Sequence, residues 1–226
     1  MQYLALMLDA PLQSWGFESR FQRRTTGLQP TKSGVVGLLC AALGLAKGSP
    51  EEADWLPKLV KLRMTVITIP RKHAQEGAPL RRFEDFHTVE NTRRATGQPN
   101  PDPVVTRRQF LADALFGVLL AGEAEMLTQV ADALRNPTWG VWFGRKCCVP
   151  AAPVYRAGPC NEREALKALI GDEPLERFTI VQEATSFAEG TDSIPDQPLS
   201  FGSASSSGSE GRRFAPRRVR VVPASE

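Results

Sequence analysis

Two strand–helix–strand patterns, separated by a long polar stretch, constrain this chain more than any other feature. Gln2 to Asp9 reads as a buried first strand carrying Tyr3, Leu4, Leu6, Met7 and Leu8, and Pro11 ends it. After a basic loop, Thr31-Lys32-Ser33 offers a helix N-cap, and Val35, Val36, Leu38, Leu39, Ala42, Leu43 and Ala46 form a broad apolar face. Gly34 and Gly37 weaken that helix by propensity, so a close neighbour, sheet backbone or ligand, is expected there. Gly44 to Pro50 reads as the exit. Leu59 to Ile69 reads as the second strand, closed by Pro70. Arg71 to Thr106 is polar, rich in Pro, Gly and Arg, and too long for an ordinary connection. It predicts a projecting hairpin or lobe with Leu80 to Val89 and a segment after Pro103 as arms, and a mobile tip near Gly97 to Pro101.

The second half repeats the pattern. Phe110 to Ala121 reads as the third strand, its aromatic and β-branched residues outweighing a helical alternative for its first part. Glu123 to Arg135 is a short amphipathic helix stopped by Asn136-Pro137, and Val141-Trp142-Phe143 a short fourth strand. The order is βαββαβ, so the predicted class is α+β: a ferredoxin-like domain over residues 1–144, with the long insertion at about 71–106. Past Gly144 the chain turns irregular, with Pro150, Pro153 and Pro159. Residues 145–226 are expected as a smaller C-terminal lobe. It holds a helix at Glu162 to Ile170, a strand at Phe178 to Val181, a Ser/Gly linker at 203–211, and an edge strand at Arg217 to Val222 with its basic face outward.

Composition excludes several classes. The chain has 226 residues, 42% of them hydrophobic and 23% charged, which suits a packed core and not global disorder. The apolar run from Val35 to Ala46 is far shorter than the roughly 18 residues of a membrane span, and the N-terminus lacks a signal-peptide pattern. No membrane partner and a cytoplasmic location are expected. The four cysteines, Cys40, Cys147, Cys148 and Cys160, contain no C-x-x-C pair, so neither structural zinc nor a disulfide scaffold is expected. Only His73 and His87 exist, and no G-x-S-x-G elbow accompanies them. Gly27 to Ser33 is superficially like a phosphate loop, but Thr31 stands where the glycine before the lysine is required. No metal and no cofactor are expected. The net charge, +3, is small, but basic residues cluster without acids from Arg20 to Lys32 and from Arg212 to Arg220.

Five ordered blocks carry a family resemblance. They are Leu8-Asp9-Ala10-Pro11-Leu12-Gln13-Ser14-Trp15-Gly16 with Ser19-Arg20; Pro30-Thr31-Lys32-Ser33-Gly34-Val35-Val36-Gly37-Leu38-Leu39; Asp85-Phe86-His87-Thr88-Val89; Arg107-Arg108-Gln109-Phe110-Leu111-Ala112-Asp113-Ala114; and Phe143-Gly144-Arg145-Lys146-Cys147-Cys148-Val149-Pro150. Phe214 to Val219 fits more loosely, and the linker at 203–211 has no counterpart. Together they resemble the Cas-five (CasD) family, the RAMP subunits of CRISPR Cascade complexes, in its type I-E branch. The resemblance implies a ferredoxin-like (RRM-like) domain with an inserted thumb β-hairpin, in a non-catalytic subunit that grips the 5′ handle of a CRISPR RNA and docks beside the backbone and large subunits. Target DNA would be met only through the complex.

The handle is single-stranded RNA, read by phosphate, 2′-hydroxyl and splayed-base contacts. Candidate RNA-binding residues are Arg20, Arg23 and Arg24 on the first loop; Lys32, Ser33 and the Gly34 amide at the helix N-terminus, where free N–H groups favour a phosphate; His87 in the thumb; Arg107 and Arg108 at its base; and Arg145 and Lys146. They are expected to line one connected surface. Trp15 reads as a hydrophobic plug, Gln13 as a holder of loop backbone, and Cys147 and Cys148 as packing residues. Trp139 and Trp142 suit core or subunit contact, and Arg93 and Arg94 a neighbouring subunit or target DNA. The rival reading is a metal-independent endoribonuclease using Lys72-His73, as a related branch (type I-C) implies. Against it, the first-helix region has no tyrosine; Tyr3 and Tyr155 lie elsewhere.

Overall fold

The computed structural model describes residues 1–16, 22–71, 80–94, 96–202 and 211–225. Its main sheet has seven strands: β1 (Gln2–Asp9), β4 (Arg63–Thr68), β7 (Leu115–Gly122), β8 (Tyr155–Cys160), β9 (Thr179–Glu183), β10 (Asp192–Ser200) and β11 (Arg213–Val222). The order across it is β10-β11-β9-β4-β7-β1-β8, antiparallel throughout. A second sheet is built on β6 (Val104–Ala112), flanked by β5 (Arg81–Val89), β2 (Leu12–Gln13) and β3 (Arg23–Arg24). The helices are α1 (Lys32–Leu43), α2 (Pro50–Lys61), α3 (Ala124–Arg135) and α4 (Glu162–Ile170), and a 3-10 turn covers Leu175–Arg177. This is a mixed fold of helices on antiparallel sheets. Among the described residues, no helix is long and apolar enough to cross a membrane.

Strand alternation sorts the core. Leu4, Leu6 and Leu8 of β1 face α1, α2 and α3 with Met64, Val66, Phe116, Val118 and Leu120. Ala5 faces the opposite side with Ile67 and Leu119, under Ala165 and Leu169 of α4. Helix α1 starts at Thr31, whose side chain accepts the Gly34 N–H, and ends at Gly44 in the left-handed conformation (φ 74°).

Several expectations are corrected. Gly44 to Pro50 leads into α2, capped by Ser49, so the second strand begins only at Arg63. The long third strand divides: β6 ends at Ala112, Asp113 turns the chain with φ 55°, and β7 starts at Leu115. Val141 to Phe143 is not a strand. Phe143 is a fully buried plug in an irregular loop, tied by its N–H to the Cys148 carbonyl and by its carbonyl to the Ser14 N–H. The strand beside β1 is instead β8. Residues 145–226, expected as a smaller lobe, add strands to both edges of the main sheet. Strand β11 is not the edge; β10, unforeseen, lies outside it. Of the linker at 203–211, residues 203–210 lie outside the described residues.

The hairpin arms match expectation. β5 and β6 pair in unbroken register from Arg81↔Ala112 to Val89↔Val104, and Arg93 bridges Pro99 near the tip.

Candidate nucleic-acid interface

Two short strands bring the first loop onto the hairpin. Leu12 and Gln13 pair with Ala112 and Leu111, and Arg23 and Arg24 run parallel beside Arg107 and Arg108. Paired residues in a sheet share a face and successive ones alternate. Arg23 therefore sides with Arg107, and Arg24 with Arg108, on opposite faces of the second sheet. The expected single basic surface is two surfaces.

On one face, Arg107 lies over the Phe86 ring, 5.2 Å from its centroid, and Phe86 is 61% exposed. Arg23 approaches Glu84 at 3.8 Å, and Gln109 reaches the same carboxylate. Arg82 and Gln109 border a cleft of about 430 Å³ closed by the Thr25–Gln29 segment.

The other face is more cationic. Phe83 stacks on Phe110 at 5.5 Å, and the Arg145 guanidinium lies 4.5 Å from the Phe110 centroid. Arg145 donates to the Gln109 carbonyl and the Arg24 carbonyl, both at 3.0 Å, tying β3 to β6. Arg108 Nε donates to Thr106 Oγ1 at 3.0 Å. Burial is the leading cause that lowers the Arg145 pKa, and the charges of Arg108 and Arg24 lower it further. None of Arg24, Arg108 or Arg145 has an ion pair among the described residues. Three guanidiniums from three segments thus face each other with one carboxylate, Asp85, opposite Arg108 across the strands. His87 is exposed on this face, and Lys146 is exposed beside Arg145. Phe83, Phe86 and Arg82 were not foreseen; the alternation in Arg81–Val89 was the available signal.

The helix-start expectation is corrected. Lys32 is 2% exposed, and its Nζ donates to both Glu183 oxygens at 2.7 and 2.8 Å. Its backbone N–H donates to Asp196 Oδ2 at 2.8 Å, and the Gly34 N–H is taken by Thr31. The helix N-terminus already holds a carboxylate, so Lys32 and the Gly34 amide are spent. Ser33 is half-buried, its hydroxyl 3.4 Å from Thr31 Oγ1. The close neighbour that Gly34 admits is Trp15: a Cβ there would lie 2.8 Å from its Cε3. Trp15 is a buried plug, and its Nε1 donates to Gln13, which in turn donates to the Leu8 and Ala114 carbonyls. Arg217, expected outward, is buried against Asp196. Cys148 is buried, Cys147 exposed, and Trp139 and Trp142 are both partly exposed. Arg20, Lys72 and His73 lie outside the described residues. Among the described residues, no group of three or more His, Cys, Asp or Glu could hold a metal ion.

The chain matches the family model described as CRISPR-associated protein (Cas_Cas5) over residues 3–220. It is 31% identical over 180 residues to the CRISPR system Cascade subunit CasD of Escherichia coli (strain K12), covering 76% of this chain and 78% of that protein. A chain of a solved CRISPR RNA-guided surveillance complex matches with TM-score 0.75 and 28% identity, over 98% of this chain and 90% of that one. A crystal structure of a Cas protein matches with TM-score 0.64 and 35% identity, over 98% and 95%.

Proposed function

Because the chain belongs to the CRISPR-associated Cas5 family, we propose that it is a non-catalytic RNA-binding subunit of a type I Cascade surveillance complex, acting in the cytoplasm. Its ligand is the 5′ handle of the CRISPR RNA, and its neighbours are the backbone and large subunits. The convergence of Arg24, Arg108 and Arg145 on one face of the thumb sheet carries this reading. Three cations held together repel one another, and a phosphodiester relieves that repulsion with charge-assisted hydrogen bonds. Arg23, Arg107, His87 and Lys146 extend the contact on the two faces, and the exposed Phe86 and Phe83 suit splayed bases.

The ferredoxin-like reading of the core draws support from its order. β1, α1, β4, β7, α3 and β8 succeed one another, with β4-β7-β1-β8 as their order in the sheet. The non-catalytic reading draws support from the tyrosines. The Tyr155 hydroxyl is held by Arg135 and the Gly158 carbonyl, and Tyr3 sits at the opposite end of β1 from the thumb.

The test is labelled repeat RNA incubated with the purified chain in EDTA, scored on one gel for binding and cleavage. Retained, intact RNA, with binding weakened in R24A/R108A, is expected. A discrete cut abolished by H73A would overturn the non-catalytic assignment.

A further inference from the structure

We propose that Arg71 is a positioning residue for RNA binding: it sets the angle of the thumb sheet against the main sheet, and governs affinity without touching RNA. The proposal rests on the handle reading above. Three chain crossings join the two sheets. β1 and β7 pair as far as Asp9↔Leu115, and the same two strands pair again, as β2 and β6, from Leu12↔Ala112. Between those pairs each strand leaves its ladder, at Ala10 and Pro11 on one and at Asp113 and Ala114 on the other. The third crossing leaves β4 through Ile69, whose N–H donates to the Leu115 carbonyl, and passes Arg71 on its way to β5.

One guanidinium fastens all three crossings. Arg71 Nε donates to the Asp113 carbonyl at 3.0 Å. Its Nη2 lies 2.6 Å from Asp9 Oδ1, 3.2 Å from Asp113 Oδ1 and 3.5 Å from the Ala114 carbonyl. Asp113 has φ 55°, in the left-handed region that aspartate enters more readily than most residues. A bend made through such a residue is held by what surrounds it. Gln13 braces it from the buried side, donating to the Leu8 and Ala114 carbonyls. The partly exposed Arg71 closes it on the other.

The cationic face straddles this joint. Arg24 and Arg108 belong to the thumb sheet. Arg145 and Lys146 belong to a loop whose exit is bonded to β1, through Ala151 N–H to the Asp9 carbonyl and Met7 N–H to the Val154 carbonyl. A tilt of about 10° at the joint moves Arg108 by about 2 Å and the far end of β6 by about 5 Å, at about 3.3 Å of strand per residue. Such a shift pulls the Arg145 fork off the Gln109 and Arg24 carbonyls and parts the cations that meet one phosphate.

The test uses the full chain. Hydrogen exchange is read by mass spectrometry without RNA, repeat-RNA affinity is measured across a salt series, and thermal melting is the fold control. R71A is expected to speed exchange at least tenfold in peptides covering residues 10–15 and 104–114, and to leave residues 4–7 and 117–121 unchanged. The same variant is expected to weaken repeat RNA about fivefold or more, with the slope of log K against log salt unaltered. R71K is expected to rescue neither, because an ammonium lacks the fork that spans acceptors on two strands. R24A/R108A is the contrast, since it lowers the slope. Unchanged affinity in R71A would overturn the proposal. So would a slope reduced by about 0.7, which marks a lost phosphate contact and puts Arg71 on the RNA itself. Exchange that rises throughout the main sheet would make Arg71 a general staple and overturn it too. Failure of the handle reading shows separately, as an unmodified chain that binds repeat RNA no better than a scrambled RNA; that result overturns both.

Discussion

Arg217 holds Asp196 in a bidentate ion pair inside the protein, with Nε to Oδ1 at 2.9 Å and Nη2 to Oδ2 at 2.7 Å. Asp196 is 1% exposed and Arg217 4%. The same Asp196 Oδ2 accepts the Lys32 N–H at the start of α1, so one carboxylate joins β10, β11 and α1. Lys32 extends the network to Glu183 of β9. Asp196→Ala would leave a buried guanidinium and a helix N–H unpaired, and removing one partner of a buried pair costs about 3–5 kcal/mol. Urea unfolding should show that loss, with Asp196→Asn intermediate. A change below about 1 kcal/mol for Asp196→Ala would mean that this ion pair is not what ties β10 and β11 to α1.

Gly34 tests whether the helix start is built for packing. A Cβ at residue 34 would meet Trp15 Cε3 at 2.8 Å and Thr31 Oγ1 at 2.9 Å. Alanine raises helix propensity by about 1 kcal/mol, but overpacking a fixed ring costs about 1–3 kcal/mol. Gly34→Ala should therefore lower the melting temperature. In a Trp15→Leu background, which removes the ring, the same substitution should be neutral or stabilising. Equal losses in both backgrounds would show that Trp15 is not the obstacle.

Arg108 and Arg145 should separate by readout. Arg145 holds two backbone carbonyls and covers Phe110, so Arg145→Ala should lower both thermal stability and RNA affinity. Arg145→Lys keeps the charge but loses the fork that spans Gln109 and Arg24, and should recover little stability. Arg108→Ala should leave the melting temperature within about 2 °C, since among the described residues its side chain donates only to Thr106 and surface changes stay within about 0.5 kcal/mol. With Arg24→Ala added, the slope of log K against log salt should fall by about 1.4, two contacts at about 0.7 each for a single strand. An unchanged slope would remove both arginines from the phosphate contact.

How much of this was legible depends on how far apart the deciding residues lie. The hairpin arms follow from local alternation and from Pro103, and the structure pairs them over their length. α2 had a local signature that went unread: Ser49-Pro50-Glu51-Glu52 is a capping sequence, and Glu52 reaches back to the Gly48 N–H at 2.6 Å. Pro57 and Leu59 inside the helix, and Leu62 just past its end, give the segment the look of a strand. β10 was hidden by Pro195 and Pro198, which a sheet tolerates at its edge. Lys32 was misjudged for a different reason. Its ammonium partner lies 151 residues along the chain and its amide partner 164, and no window of sequence contains either. The basic loop was correctly seen as basic. Its division into two faces depends on β3 pairing with β6, which local pattern does not encode.

The buried thiols predict an alkaline weakness. Cys40 sits at 5% exposure in α1, and burial is the chief cause that raises its pKa from 9.0 to about 12. Cys148, fully buried, is raised to about 12 for the same leading reason. The folded chain keeps both thiols protonated where the unfolded chain ionises them, so the folded state binds more protons above pH 9. Stability is then fully present below pH 9 and falls as pH rises toward 12. One unit into that window, at pH 10, each thiol accounts for a loss on the order of 1 kcal/mol. Urea unfolding under reducing conditions at pH 7 and pH 10 measures it. Cys40→Ala should be slightly less stable than the unmodified chain at pH 7, yet lose on the order of 1 kcal/mol less on going to pH 10. If the two chains lose the same amount, the Cys40 thiol is not held protonated by the core.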